Sequence, residues 1–287
     1  MSLDEIAVQR CENLDDPRLE DYRSLKLPPS GRYRGQKHFV VEGRKLCERL
    51  LLSDFPIRSM LVERGLDRST MPAPRTPLTI FEMSREQLGE LAGFDFHRGW
   101  LASAQRPADH GLDQFQPDAV SLALVGISDM ENVGSMLRSA AAFGIRQIVL
   151  DRQSVDPFSR RAMRVSMGAA MTMRYYRLPE VVAGIRELQS RGTDCLAATL
   201  TDDSVSIDQY RTWYKHGDRP CVLVMGNEGN GLPLAVQRNC RHRIRIAMRP
   251  TIVGAPLLDS LNVSVAAAIL MHDLTRTRSP TECDSPD

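Results

Sequence analysis

The chain has 287 residues, of which 42% are hydrophobic and 25% charged, and its formal net charge is +1. This length allows two domains with sizeable cores, while no apolar run approaches the roughly 20 residues of a membrane span and the acidic N-terminus lacks the pattern of a signal peptide. The six cysteines are scattered without a CxxC pair, so we expect a cytoplasmic protein with neither a disulfide framework nor a metal site.

The first part of the chain alternates between short strand-like and helix-like segments. Residues 1–21 are a polar lead-in that holds at most a short helix. Apolar runs typical of strands occur at residues 39–43, 57–62, 78–81 and 99–104. Leucines at helical spacing predict a helix over residues 44–53, and Ser84 with Gln87 predicts a capping box at the start of a second helix. Residues 22–107 therefore predict a small α/β domain.

Basic residues are concentrated in residues 22–49, which hold eight bases against two acids. Aromatic side chains lie between them, and this combination suits a surface that holds phosphates and stacks on unpaired RNA bases. Lysine and arginine also cover ordinary solvated surfaces, so the block by itself supports both interpretations equally. The RNA-binding candidates are Arg23, Lys26, Arg32, Arg34, Lys37 and Arg44.

The second part of the chain has longer and more apolar segments. Residues 108–118 contain Gly111 and Pro117 among polar residues and predict a linker. Buried strands are predicted at residues 120–127, 145–150, 195–200, 220–225 and 244–248, and helices at 133–143, at 181–188 and after 259. This alternation over residues 119–275 predicts a parallel sheet with helices on both faces, followed by a flexible polar tail at 276–287.

Three segments at predicted strand ends carry residues suited to binding a ligand. They are NVGSMLR at 132–138, GNEGNGL at 226–232 and SLNVSVA at 260–266. Loops that leave parallel strands gather in one crevice, and glycines let backbone groups approach a ligand closely. The chain has no HExxH, GxSxG or P-loop pattern, and no GxGxxG follows the strand at 120–127. A tight turn is the plainer interpretation of the glycines, but their density favours contact with a ligand.

Taken together and in this order, the three segments resemble the signature motifs of the SpoU (TrmH-like) RNA 2′-O-ribose methyltransferases of the SPOUT superfamily. Residues 157–169 are also similar to the family's intermediate segment. The resemblance covers residues 119–275, and residues 22–107 are similar to the family's ribosomal-protein-like α/β RNA-binding domain. It implies a C-terminal domain tied into a trefoil knot, a homodimer formed through that domain, and S-adenosyl-L-methionine as the cofactor.

The resemblance also implies roles for individual residues. The cofactor-binding set is Leu223, Met225, Gly226, Asn227, Gly229, Ile246, Ser260 and Leu261. In the catalytic set, Glu228 matches the family's motif carboxylate, and Asn262 matches its active-site asparagine. Arg138 matches the arginine to which the family assigns activation of the 2′-hydroxyl, with Asn132 as its positioning partner.

Two of these roles are constrained by chemistry. A guanidinium with a pKa above about 12 is a poor proton acceptor at neutral pH. We therefore expect Arg138 to hold an RNA phosphate and to lower the pKa of the hydroxyl through its charge, with deprotonation relayed to another group. Ser260 is also placed to cap the last helix through its side-chain oxygen.

The chain departs from the family's pattern beside the predicted cofactor site. Ala247 stands where the family has a proline, and residues 249–259 form a loop that is several residues longer. Our prediction is an enzyme that 2′-O-methylates a ribose of rRNA or tRNA, with RNA rather than DNA or a membrane as its partner. One alternative is an RNA-binding protein of the SPOUT fold that has lost methyl transfer because of the altered loop. The other is a nucleotide-dependent α/β enzyme unrelated to RNA.

Overall fold

The computed structural model describes residues 6–25, 35–95, 99–213, 219–248 and 260–276. The chain divides into two units. The first comprises Met1–Ala108 and Val155–Met171, and the second comprises Asp109–Ser154 and Thr172–Asp287. Within the described ranges, every helix is too short or too polar to cross a membrane.

The regular elements alternate between strands and helices along most of the chain. The strands are β1 (Ile6–Arg10), β2 (His38–Glu42), β3 (Ile57–Glu63), β4 (Leu78–Met83), β5 (Trp100–Gln105), β6 (Val120–Leu124), β7 (Gln147–Asp151), β8 (Arg174–Leu178), β9 (Asp194–Ala198), β10 (Val205–Ser206), β11 (Cys221–Met225) and β12 (His242–Arg245). The helices are α1 (Arg44–Leu51), α2 (Arg85–Ala92), α3 (Met130–Ala142), α4 (Arg160–Val165), α5 (Val181–Ser190), α6 (Ile207–Trp213), α7 (Leu234–Asn239) and α8 (Val263–Thr275).

The first unit is built on a mixed five-stranded sheet in the order β1-β4-β3-β5-β2. β1, β4 and β3 run parallel, whereas β5 is antiparallel to both β3 and β2. The four strands predicted here are confirmed to within two residues. The short helix predicted within the lead-in at residues 1–21 corresponds to a 3-10 helix at Pro17–Tyr22, but β1 in the same segment was not predicted. β1 lies at the edge of the sheet with most of its side chains exposed, and its apolar residues are confined to Ile6–Val8.

The capping box predicted at Ser84 is confirmed. The Ser84 hydroxyl accepts a hydrogen bond from the Gln87 backbone N–H at 3.3 Å, and the Gln87 side chain accepts one from the Ser84 N–H at 3.0 Å. Gly93 ends α2 in the left-handed conformation, with a φ of +75°. Leu88 and Leu91 are thereby directed into the core of the first unit.

A segment from the second half of the sequence also belongs to the first unit. The Arg106 guanidinium donates from Nη1 to both carboxylate oxygens of Asp156, at 2.8 and 2.9 Å, and it lies 4.6 Å from the centre of the Phe158 ring. Phe158 in turn packs on Phe39 of β2, with the ring centres 4.9 Å apart. The prediction for residues 119–275 places residues 155–171 in the C-terminal domain. The structure groups them with the first unit, because these side chains are buried against β2 and Arg106.

The second unit contains a parallel sheet, as the sequence pattern predicted. It has seven strands in the order β10-β12-β9-β11-β6-β7-β8, of which β8 and β10 were not predicted. Every residue of β6, β7 and β11 is buried. Apolar side chains on both faces explain why these strands read as continuous hydrophobic runs in the sequence. Because the strands are parallel, the loops that follow β6, β9, β11 and β12 all leave from the same edge of the sheet.

Candidate functional site

A cleft of about 400 Å³ lies in the second unit at the carboxyl ends of these strands. Residues 198–201 after β9, residues 225–232 after β11 and residues 244–246 at the end of β12 line it. Ser260, Leu261 and the first turns of α8 complete the lining. The cleft combines glycine-rich backbone with apolar side chains, which is the usual character of a small-molecule site.

The turn after β11 is closed by its own backbone and by Asn227. The Gly231 N–H donates to the Asn227 carbonyl at 2.9 Å, and the Asn227 side-chain oxygen accepts from the N–H groups of Gly229 and Asn230, each at 3.0 Å. A side chain at Gly226 would place its Cβ 2.5 Å from the backbone of Gly231. The turn therefore requires glycine at position 226, and its shape is fixed by local contacts.

Glu228 holds the loop after β6 against this turn. Its carboxylate accepts five hydrogen bonds: from the Ser128 N–H at 3.2 Å and hydroxyl at 3.1 Å, the Asp129 N–H at 3.0 Å, and the side-chain amides of Asn132 at 3.2 Å and Asn227 at 3.1 Å. Partial burial raises the pKa of this carboxyl, but the hydrogen bonds from its own backbone and from Asp129, Asn132 and Ser128 together lower it below its ordinary value. Glu228 is therefore ionised at neutral pH and occupied by donors, which suits positioning better than proton transfer.

Two asparagines connect Glu228 to the start of α8. Asn262 is the N-cap of α8, because its side-chain oxygen accepts from the backbone N–H groups of Ser264 at 2.8 Å and Val265 at 3.4 Å. That role leaves its amide nitrogen to donate to the Asn132 side-chain oxygen at 3.1 Å. The Asn132 amide nitrogen then donates to Glu228. The contacts fix the orientation of both amide groups, and the three sequence segments meet at this chain of hydrogen bonds.

The structure brings most of the predicted site residues together. Met225, Gly226, Asn227, Gly229, Ile246, Ser260 and Leu261 line the cleft, while Asn132, Glu228 and Asn262 form the hydrogen-bonded chain. Leu223 is fully buried within β11 and does not line the cleft. Asn262, rather than Ser260, caps α8.

Arg138 lies outside this cluster. It follows Asn132 by six residues on α3, a separation that carries it about 9 Å along the helix axis and about 120° around it. Its side chain is exposed, and no described residue forms an ion pair or hydrogen bond with it. It is therefore an available cation on the surface of the second unit.

The predicted RNA-binding residues of the first unit differ in their environment. Arg23 forms ion pairs with Glu20 at 3.1 Å and Asp15 at 3.8 Å. Arg44 pairs with its helix neighbour Glu48 at 2.8 Å. Lys37 is exposed. Lys26, Arg32 and Arg34 lie outside the described residues, as does the long loop at 249–259.

The buried cysteines of the second unit are unsuited to nucleophilic chemistry. Burial raises the pKa of the Cys221 and Cys240 thiols to about 12, and it raises that of Cys195 as well. All three side chains belong to the core or its edge. Among the residues that the structure describes, no group of three or more His, Cys, Asp or Glu side chains is placed to hold a metal ion.

The charged cleft residue Arg245 is not among those singled out from the sequence. Arg245, at the end of β12, lines the cleft beside Ile246, and its guanidinium contacts the loop after β9. A cation next to an apolar residue at a strand end is common on solvated strands, so the sequence alone carried no distinguishing signal. Arg245 reaches the cleft because β12 pairs with β9, whose following loop lines it.

Comparison with known proteins gives consistent results. Residues 119–272 match the SpoU rRNA Methylase family. An uncharacterized tRNA/rRNA methyltransferase of Mycobacterium bovis is 31% identical over 284 residues, covering 96% of this chain and 94% of the relative. A 23S rRNA (guanosine-2'-O-)-methyltransferase, RlmB, of Ralstonia nicotianae is 32% identical over 199 residues, covering 68% of this chain and 75% of the relative. The crystal structure of an AdoMet-bound rRNA methyltransferase from Sinorhizobium meliloti has the same fold, with a TM-score of 0.74 at 23% identity over 93% of this chain and 97% of the other.

Proposed function

The chain belongs to the SpoU rRNA methylase family, which confirms the resemblance seen in its motifs, and we propose on that premise that it transfers the methyl group of S-adenosylmethionine to a ribose 2′-hydroxyl of rRNA or tRNA. One observation carries the proposal. Asn262, Asn132 and Glu228, from three separate segments of the sequence, are joined by hydrogen bonds of 3.1 and 3.2 Å beside the cleft.

The residues of the cleft fit this cofactor. Met225, Ile246 and Leu261 supply apolar contacts for the adenine, while the backbone of the turn after Gly226 supplies polar groups at close range. When bound, S-adenosylmethionine supplies an activated methyl group on a sulfonium. The task of the protein is then to hold the cofactor and the ribose in line, and such alignment is worth about 7–11 kcal/mol.

Within this arrangement we assign positioning roles to the hydrogen-bonded chain. Glu228 fixes the loop after β6 and orients the Asn132 amide. Asn132 in turn orients Asn262, whose remaining amide N–H we expect to face the ribose. Arg138 is the candidate for substrate activation, because it is an exposed cation able to bind an RNA phosphate and to favour the ionised hydroxyl.

We further infer that a second copy of the chain covers α8. This helix is apolar nearly all round, and Val265 and Ile269 on it are 48% and 36% exposed. An all-apolar helix is normally buried, so a homodimer through the C-terminal domain accounts for this face. The contact of α3 with α8 would bring Arg138 near such an interface.

The remaining assignments follow from the family. We propose that residues 119–275 are the methyltransferase domain with the family's trefoil knot, and that residues 22–107 bind the substrate RNA in the cytoplasm. The RlmB relative favours 23S rRNA as the target. In our interpretation, the first unit supplies basic residues such as Lys37 for contact with the RNA backbone.

The direct test is methylation of total RNA from cells that lack the protein, with labelled S-adenosylmethionine and mapping of the labelled nucleotide. We expect one ribose to be labelled. Calorimetry with S-adenosylmethionine distinguishes the enzyme from the alternative, an RNA-binding protein of the SPOUT fold that no longer binds the cofactor. That alternative predicts no heat of binding. Such a result would refute the proposed enzyme.

A substitution tests the assigned role of Arg138. Arg138→Ala is expected to lower methyl transfer by a factor of about 100 or more while leaving cofactor affinity near normal, because the side chain lies outside the cleft. Arg186→Ala is the matched control, since it removes an exposed arginine of α5 that donates to Asn239 at 2.8 Å. Unchanged turnover in Arg138→Ala would remove this residue from the mechanism.

A further inference from the structure

Arg245 has an unusual position for an arginine in this unit. It is the last residue of β12, is half-buried, and lines the cleft. Its Nη1 donates to the Ser204 hydroxyl at 3.2 Å and approaches the Thr201 carbonyl at 3.5 Å. Its Nε and Nη2 have no hydrogen-bond partner among the residues that the structure describes. One side of the guanidinium is thus anchored to the loop after β9, and the other is available.

The charges of the cleft are sparse. Among the described residues that line it, Arg245 is the one cation and Glu228 the one anion. Glu228 is occupied by five internal donors, so its charge is already balanced by the protein. The remaining polar groups of the lining are neutral amides, hydroxyls and backbone groups. A ligand that carries a carboxylate therefore finds a single charged partner there.

We propose that Arg245 binds the carboxylate of the methionyl group of S-adenosylmethionine; this inference rests on the proposed function. A guanidinium presents two parallel N–H donors that match a carboxylate, and such charge-assisted hydrogen bonds are about twice as strong as neutral ones. The hydrogen bond from Nη1 to Ser204 limits the rotamers of the Arg245 side chain. Less conformational entropy is therefore lost when Nε and Nη2 bind the carboxylate.

The net charge of the ligand sharpens the prediction. S-adenosylmethionine carries one carboxylate, one ammonium and one sulfonium at neutral pH, which makes it a cation overall. Loss of any nearby arginine should therefore strengthen its binding slightly through long-range electrostatics. A local contact between Arg245 and the carboxylate predicts the opposite sign. The two effects can thus be told apart by direction as well as by size.

Arg243 provides the matched control. It lies two residues earlier on β12, does not line the cleft, and pairs with Asp203 at 2.7 Å. Arg243→Met removes the same charge from the same strand without touching the proposed contact. Arg245→Lys keeps the charge but not the two-pronged donor geometry, and so we expect an intermediate effect.

The experiment is titration calorimetry on the full chain with two ligands: S-adenosylmethionine, and 5′-methylthioadenosine, which keeps the adenosine and sulfur but lacks the amino-acid part. Arg245→Met is expected to weaken S-adenosylmethionine binding by about 10- to 100-fold, and to leave the affinity for 5′-methylthioadenosine within about twofold of wild type. Normal binding of the second ligand also demonstrates that the variant is folded at the site.

Three results overturn the inference. If Arg245→Met lowers the affinity for both ligands equally, the residue maintains the shape of the whole cleft and does not bind the carboxylate specifically. If Arg243→Met weakens S-adenosylmethionine binding as much as Arg245→Met does, the loss does not come from a contact specific to Arg245. If wild type binds S-adenosylmethionine and Arg245→Met binds it equally well, the contact does not exist. By contrast, a wild-type protein that binds neither ligand refutes the proposed function itself.

Discussion

The polar groups beside the cleft and the charged groups on the first unit are held in different ways. Glu228 accepts five hydrogen bonds, two of them from backbone N–H groups. Arg23 faces Glu20 at 3.1 Å, but 76% of that acid's side chain is exposed. Exposed pairs of this kind contribute about 0–1 kcal/mol, because solvent screens the charges and two long side chains lose freedom. Replacing an exposed charged residue of the first unit should therefore change stability little. Replacing a donor or acceptor beside the cleft should disturb the arrangement of the loops that form it.

One ion pair of the first unit is buried rather than exposed, and its removal should have the largest effect on stability. The Arg106 and Asp156 side chains are 2% and 9% exposed. Replacing Arg106 by Met leaves the Asp156 carboxylate buried without its guanidinium, so we expect the free energy of unfolding of the first unit to fall by about 3–5 kcal/mol. Urea denaturation monitored by the fluorescence of buried Trp100, in a Trp213→Phe background, measures this loss.

Arg75→Ala is the control for that experiment. Its partner Asp54 lies in the same unit, and the two side chains are 63% and 90% exposed. We expect a loss below about 1 kcal/mol. Should Arg106→Met cost no more than Arg75→Ala, the segment at residues 155–171 would not be held to the first unit by this pair.

Two glycines in the turn after β11 differ in how much space surrounds them. A Cβ at Gly226 would lie 2.5 Å from backbone atoms of Gly231 and Leu232, whereas one at Gly229 would meet nothing closer than 3.7 Å. We expect Gly226→Ala to weaken S-adenosylmethionine binding by about 100-fold, because the turn must open to make room for the alanine side chain. Gly229→Ala should bind within a few-fold of wild type in the same calorimetric titration. Equal losses in both variants would contradict this account of the turn.

Local patterns predicted much of this molecule from the sequence. The capping box at Ser84 and the buried strands β6 and β11 depend on neighbouring residues, and they appear close to where they were expected. The Arg106–Asp156 pair joins residues 50 positions apart and has no local signal. The N-cap of α8 was assigned to Ser260, two residues early. Asn262 itself caps the helix through local contacts, while the donor that links it to Asn132 joins residues 130 positions apart in sequence.

The candidate site shows the same division. The family motifs brought together Asn132, Glu228 and Asn262, because family resemblance carries information on distant contacts that periodicity lacks. They did not indicate that Arg138 would point away from this group, since a helix turns its residues to different sides. Nor did they indicate Arg245, whose relevance depends on the pairing of β12 with β9.

Asn262 allows its two hydrogen-bonding roles to be separated. Asn262→Ala removes both the cap of α8 and the donor to Asn132, and we expect it to lower the free energy of unfolding by about 1 kcal/mol. Asn262→Asp keeps the cap but has no amide N–H to donate. It should therefore unfold near the wild-type temperature while methyl transfer falls at least tenfold. A fully active Asn262→Asp variant would show that the donor to Asn132 has no part in the reaction.

The smallest expected effect concerns the protonation of Glu228. The hydrogen bonds it accepts lower the pKa of this carboxyl in the folded protein, so ionised Glu228 stabilises the fold at a pH above the ordinary value for glutamate, about 4.3. That contribution is lost as the pH falls below this value and through the folded pKa. Glu228→Gln removes the charge and leaves one acceptor oxygen in place of two, so it can accept from the Ser128 N–H or from the Asp129 N–H but not from both. The variant should be less stable than wild type between pH 5 and 7, by under about 1 kcal/mol because the group is partly exposed. The difference should then shrink at more acidic pH, and thermal denaturation across this range would measure it. A gap that stays constant down to pH 3 would mean that the charge of Glu228 does not hold the two loops together.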